Sequence, residues 1–177
     1  MQAVGSGNCV HEIVKILETE RSMGVFAQGD SSMISVIICT YNRADSLRET
    51  LESLGAMSEH VNVPWELLVV DNNSRDHTKR VVEEFSQSAI FPVQYVFEAE
   101  QGLSPARNRG IRESRGDVVA FTDDDVLVDP HWVSIMWDVY QEHDIDALGG
   151  RILPLYLVEI PKWVKDHEDF LQGPLVI

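Results

Sequence analysis

Between Met33 and Thr122 the chain alternates short apolar runs with stretches whose apolar positions recur at helical spacing. Residues 34–39 form a nearly continuous β-branched run, the pattern of a strand buried on both faces of a parallel sheet. Thr40-Tyr41-Asn42-Arg43 follows as a loop, and a helix is expected from about Asp45, with Leu47, Leu51 and Leu54 inward. A second strand over residues 67–70 ends at Asp71, Asn72-Asn73-Ser74 is a turn, and Val81, Val82 and Phe85 mark a second helix. Residues 93–97 read as a third strand. Ser104-Pro105 reads as the N-cap and first residue of a third helix reaching about Glu113. Gly116 breaks the chain before a fourth strand at 117–122, and Asp129-Pro130 opens a further helix. Upstream, Val10, Ile13, Val14 and Leu17 share one face of an amphipathic helix. These patterns divide the chain into a leading segment (1–32), a core (33–154) and a closing segment (155–177).

A β-α-β-α-β-α-β order implies an α/β fold: a mostly parallel, doubly wound sheet with helices on both faces and right-handed crossovers. Ligands of such sheets bind beyond the carboxyl ends of the strands, where the strand order reverses. Three polar clusters follow strands here: Thr40-Tyr41-Asn42, Asp71-Asn72-Asn73 and Asp123-Asp124-Asp125. Each alone is an ordinary loop. Their convergence on one rim is the argument for a site.

Length and composition, with 177 residues and 44% hydrophobic content, fit one globular domain with a real core. The charge narrows the partners. Asp and Glu number 29 against 14 Lys and Arg, a net −15 that repels nucleic acid and anionic membrane surfaces. An anionic substrate therefore needs a metal, a helix N-terminus or a placed Arg. Cys9 and Cys39 are too few for a disulfide framework, so a reducing cytoplasmic setting is expected. No stretch is long and apolar enough for a membrane span, and the charged residues Glu12, Lys15, Glu18 and Glu20 interrupt any signal-peptide core. Peripheral membrane association stays open.

An acid cluster directly after a buried strand suits a hard divalent cation, Mg²⁺ or Mn²⁺, which takes one or two carboxylates plus waters and substrate phosphates. A solvated turn is the competing reading, because Asp also favours turns and helix starts. Strand alternation would send Asp123 and Asp125 to one side and Asp124 to the other. Tyr41 offers a π face to a base or caps the sheet; Asp71 accepts a base N–H or caps the following helix. Arg107 neutralises phosphate or, with Arg109 and Arg112, forms a solvated helix face.

Four segments, Ser35-Val36-Ile37-Ile38-Cys39-Thr40-Tyr41-Asn42-Arg43, Glu66-Leu67-Leu68-Val69-Val70-Asp71-Asn72-Asn73-Ser74-Arg75-Asp76, Gly102-Leu103-Ser104-Pro105-Ala106-Arg107-Asn108-Arg109-Gly110-Ile111 and Gly116-Asp117-Val118-Val119-Ala120-Phe121-Thr122-Asp123-Asp124-Asp125, carry a resemblance in order and spacing. They resemble the nucleotide-sugar half of the family 2 inverting glycosyltransferases, over roughly residues 33–153. The resemblance implies a GT-A fold with strand order 3-2-1-4 and a nucleotide-diphosphate-sugar donor. It also implies transfer to a sugar or lipid-linked acceptor. Thr40, Tyr41, Asn42, Asp71, Arg107, Asp123 and Asp124 would bind the donor. Asp125 would hold the metal together with Asp123, the first acid of the Asp-x-Asp also meeting the ribose, and Asp124 would support them from behind.

The family's general base lies well beyond the Asp-x-Asp, and no such motif is recognisable here. After Gly149-Gly150-Arg151-Ile152-Leu153-Pro154, Glu159, Asp166, Glu168 and Asp169 are the remaining acids. The expectation is a donor-binding half whose acceptor side is truncated, through truncation proper, a frameshift or a split gene, with transfer impaired in this chain alone. The alternative is a non-catalytic nucleotide-sugar-binding module. A phosphoryl-accepting receiver domain would need its acid pair after the first strand, where Cys39-Thr40-Tyr41-Asn42 stands instead. A nucleotidyltransferase would need a Gly-rich basic loop there.

Overall fold

The structure is a computed structural model, and it describes residues 13–14, 33–57, 63–143, 145–150, 152–153, 155, 159 and 161–165. In chain order its elements are β1 (Ile13–Val14), β2 (Ile34–Thr40), α1 (Ala44–Met57), β3 (Trp65–Asp71), α2 (Thr78–Ser86) and β4 (Val93–Phe97). They continue with α3 (Leu103–Glu113), β5 (Val118–Thr122), α4 (Trp132–Glu142), β6 (Ala147–Leu148) and α5 (Lys162–Lys165). The sheet order is β4-β3-β2-β5-β1-β6. Its four long strands are parallel and stand in the expected order 3-2-1-4, so the chain reverses direction across the sheet between β2 and β5.

The β-branched runs are buried on both faces because alternate side chains enter two separate cores. Ile34, Val36 and Ile38 of β2 pack with Leu67, Val69, Leu47, Leu51 and Trp132 on one side. Ile37, Leu68, Val70 and Ala106 form the thinner core beneath α3. Each aliphatic side chain buried this fully contributes about 2 kcal/mol relative to exposure. α3 rides low on the sheet because Gly110 faces it: a Cβ there would stand 2.6 Å from Ile37 Cγ2 and 3.2 Å from Val70 Cγ2. The expected close approach of this helix through Gly110 is thus present.

Two expectations are corrected. Ile13–Val14 is a strand, paired antiparallel with Ala120 and Val119 of β5 on one side and with β6 on the other, in place of a helical turn. Two β-branched residues favour extended backbone, and here they fill the place between β5 and β6. Val10 and Leu17 lie outside the described residues. α3 begins at Leu103, one residue before the expected N-cap Ser104. Gly102 takes the cap position at φ 143°, which a side chain would strain, and Pro105 sits within the first turn, where its missing N–H costs nothing.

Candidate functional site

The parallel register places the polar strand ends side by side. Thr40 at the end of β2 is opposite Asp71 at the end of β3, and β5 runs out beside β2 directly into the acid triplet. Adjacent strands are ~4.8 Å apart, so the rim from Asp71 to the triplet spans roughly 10 Å.

Burial through the triplet runs exposed, buried, exposed, the order expected from alternation, although the strand has already ended and a turn carries it. Asp124 is buried and accepts a hydrogen bond from Thr40 Oγ1 at 2.7 Å. Arg43, half-exposed at the start of α1, reaches across to place Nη1 2.6 Å from Asp125 Oδ2 and 3.3 Å from Asp124 Oδ1. Burial pushes the Asp124 carboxyl above the ordinary Asp range, and neither the Thr40 hydroxyl nor the Arg43 charge brings it back. The Arg43 guanidinium, bonded to Asp125, is held charged even more firmly than usual.

Thr40 is likewise committed: its hydroxyl goes to Asp124 and its carbonyl accepts the Asn72 N–H at 2.9 Å. What it leaves facing solvent is Tyr41, 45% exposed on the rim. Asp71 is buried, with one carboxylate oxygen accepting the Ser74 N–H at 2.8 Å and the other the Tyr95 hydroxyl at 2.7 Å. Burial, and after it that bond, push the Tyr95 phenol well up, so it donates at any ordinary pH. Asp71 therefore shapes its own turn, and its remaining lone pairs are what it can offer a ligand.

Asn42 fastens two loops together. In the left-handed conformation at φ 54°, its N–H donates to Ser74 Oγ at 2.9 Å and its side-chain oxygen accepts the Arg75 N–H at 2.7 Å. Asp76 adds to the same seam, accepting from Ala44 N–H at the start of α1 and from the Thr78 N–H and hydroxyl at the start of α2. Burial opposes its charge, but these donors, with the Thr78 hydroxyl foremost, outweigh it and hold the carboxyl below the usual range.

On the other side of β2, Arg107 of α3 lines a shallow cleft with Cys39, Phe121, Thr122 and Asp123. Its guanidinium carbon stands 5.6 Å from the Phe121 ring centroid, a cation–π position, whereas Arg109 pairs along the helix with Glu113 at 2.9 Å. Arg107 is thus set apart from the surface arginines and beside the first acid. The Cys39 thiol at the cleft floor is pushed up to about 11, by burial above all, and stays protonated.

The structure thus brings Thr40, Asp124, Asp125 and Arg43 into direct contact, sets Arg107 and Asp123 in one adjoining cleft, and leaves Tyr41 and Asp71 at the far side of the rim. Three organisers were not legible in the sequence. Arg43 read only as a loop residue and Tyr95 only as part of a strand. Asn72 is the hub of the rim: its side chain accepts the Gly102 N–H at 2.8 Å and donates to the Glu100 carbonyl at 2.6 Å. Their partners lie more than twenty residues away in sequence, where periodicity carries no signal.

Asp123 and Asp125 are exposed hard-oxygen donors, and among the described residues no three acid, histidine or cysteine side chains converge to hold a metal by themselves. The donor set fits a cation that takes one or two carboxylates and completes its shell from water and a ligand's phosphates. Among the described residues no helix is long and apolar enough to cross a membrane.

Comparison with known proteins adds names to this architecture. The chain is 31% identical over 143 residues to the glucosyl-dolichyl phosphate glucuronosyltransferase of Haloferax volcanii, covering 79% of this chain and 44% of that one. It is 30% identical over 135 residues to the succinoglycan biosynthesis protein ExoM of Rhizobium meliloti, covering 76% and 43%. The chain thus spans less than half the length of either relative. Among solved structures, S. aureus TarS 1-349 in complex with UDP superposes with a TM-score of 0.56 at 26% identity, over 63% of this chain and 32% of that one. The family model of glycosyl transferase family 2 matches residues 35–171, most of the sequence, and the chain belongs to that family.

Proposed function

We propose that this chain is the donor-binding part of a metal-dependent, inverting glycosyltransferase that takes a pyrimidine-nucleotide diphosphate sugar at the carboxyl rim of its sheet. The observation that carries the reading is the junction at the switch point, where Thr40 of β2 donates to Asp124 beyond β5 and so fixes an acid turn beside the Arg107 cleft. Tyr41 offers the base a face and Asp71 an acceptor for its ring N–H. Asp123 meets the ribose, and Asp125 with Asp123 would hold Mn²⁺ or Mg²⁺. The cation would supply Lewis-acid stabilisation to the departing diphosphate, which nothing else at an acidic rim provides in quantity. Arg107 adds a positive charge to the same phosphates. That TarS is solved with UDP supports the choice of base.

The acceptor would be a sugar or a lipid-linked sugar, and no residue within 33–153 is assigned as the base that deprotonates it. Of the acids after residue 155, Glu159 is exposed and Asp166, Glu168 and Asp169 lie outside the described residues. A reducing, cytoplasmic setting goes with the free thiol of Cys39.

Titration calorimetry with UDP, in Mn²⁺ and again in chelator, tests the reading. Binding should be metal-dependent, Asp125→Ala should abolish the metal-dependent part, and Asp124→Ala should cost less. Equal affinity with and without chelator would sink it.

A further inference from the structure

Arg43 stands in an unusual place for a loop arginine: its Nη1 lies 2.6 Å from Asp125 Oδ2 and 3.3 Å from Asp124 Oδ1. Its main chain is fixed, because its carbonyl accepts the Leu47 N–H at 2.9 Å in the first turn of α1. The side chain itself is 54% exposed. A divalent ion bonds a carboxylate oxygen at about 2.0–2.1 Å. An ion on Asp125 Oδ2 would therefore stand within a few Å of a guanidinium nitrogen that already bonds the same oxygen, and two cations so close repel strongly.

Resting on the donor-binding reading above, we propose that Arg43 is a resident counter-cation of the acid turn that a divalent metal must displace, so that the metal is admitted together with the donor's diphosphate and poorly without it. The guanidinium holds Asp124 and Asp125 in one orientation and offsets their mutual repulsion. It also removes from Asp125 the site at which a free aqueous metal would bind. A diphosphate brings negative charge to the far side of the metal and shifts the balance: the ion takes Asp125, and Arg43 keeps its contact with Asp124 or turns to a phosphate oxygen, which its planar fork suits. The order of binding then follows from electrostatics, with no moving lid.

Mn²⁺ titration of the whole chain, followed by the loss of the free-ion electron paramagnetic signal, tests this without any turnover. Wild type should bind Mn²⁺ weakly in the absence of UDP, and Arg43→Gln should bind it about tenfold more tightly, the scale on which a neighbouring charge shifts ion affinity. Arg43→Lys, which keeps the charge but loses the fork, should fall between them, and thermal melts of both variants confirm that they fold. Unchanged or weaker Mn²⁺ affinity in Arg43→Gln, with UDP binding still dependent on Mn²⁺ and Asp125, would overturn the role of Arg43 and leave the donor site standing. If UDP binding proves independent of metal in wild type, both fall together.

Discussion

Two acids are buried at opposite ends of the same sheet, and they behave in opposite ways. Glu66, on β3 near the amino end, is 1% exposed; Asp124, beyond the carboxyl end of β5, is 6% exposed. Glu66 accepts from the Ser35 hydroxyl at 2.8 Å, the Arg115 N–H at 2.9 Å, Arg115 Nε at 2.9 Å and Arg115 Nη2. Ser35 Oγ in turn accepts the Gly116 N–H, so the cluster ties β2, β3 and the turn before β5 into one knot. Burial works against the Glu66 charge, but the Arg115 and Ser35 donors overcome it and its carboxyl is held below the usual range. Asp124 has one good donor, Thr40, and one long contact to Arg43, and burial wins. The lesson is that depth alone does not decide how a buried acid behaves; the donors gathered around it do. Glu66 is saturated, whereas Asp124 is held in place with bonding capacity to spare.

If that contrast is right, Glu66→Ala should be the most damaging single change, lowering unfolding free energy by about 3 kcal/mol as the buried Ser35 hydroxyl and the part-buried Arg115 N–H lose their acceptor, while UDP affinity of the folded fraction holds. Urea unfolding beside calorimetry reads both. Gly110→Ala should cost about 2 kcal/mol through the overlap with Ile37, and unlike Glu66→Ala it should also weaken UDP binding, because α3 carries Arg107 to the rim. A destabilised variant with undiminished binding would separate α3 from the site. Asp76→Ala, which uncaps the first turns of α1 and α2, should cost about 1 kcal/mol, seen as a lower urea midpoint.

The smallest effect is the most discriminating. The Glu66 pKa is lower in the fold than its ordinary 4.5, so its contribution is present above that value and is lost as pH falls toward the folded pKa. The Asp124 pKa is raised above its ordinary 3.8, so the folded state holds that proton more tightly and gains stability from this group as pH falls toward 3.8. Stability measured from pH 7 to 3.5 should therefore fall less steeply in Glu66→Gln and more steeply in Asp124→Asn than in wild type. At neutral pH Asp124→Asn should lie within about 0.5 kcal/mol of wild type or above it. Parallel pH profiles for the two variants would erase the distinction.

Much of the fold was legible because its signals are local. The β-branched runs of β2 and β3, the inward leucines of α1 and the glycine of α3 each carry their physics within a few residues. The short strands β1 and β6 were not, since two residues define no period and their pairing depends on which edge is left open. Ser104-Pro105 offers a stronger local capping pattern than Gly102, while the loop tied down by Asn72 decides the true start. At the site the acids could be named from their place after strands. The residues that orient them could not: Arg43 meets Asp125 across eighty-two positions and Glu66 meets Arg115 across forty-nine, and a charged residue's sequence neighbours do not disclose its distant partner.

The seam that Asn42 and Asp76 make between the loops after β2 and β3 has a consequence for anyone wishing to change what the rim recognises. Those loops carry Tyr41 and Asp71 as one mechanical piece, cross-linked in both directions by backbone amides donating to side-chain oxygens. A graft that exchanges only the first loop would strand the Arg75 amide without its Asn42 acceptor, and one that exchanges only the second would strand the Asn42 amide and the first helix's leading amide. The unit of transplantation between relatives is therefore residues 40–44 together with 71–78, and base preference should travel with the pair or not at all.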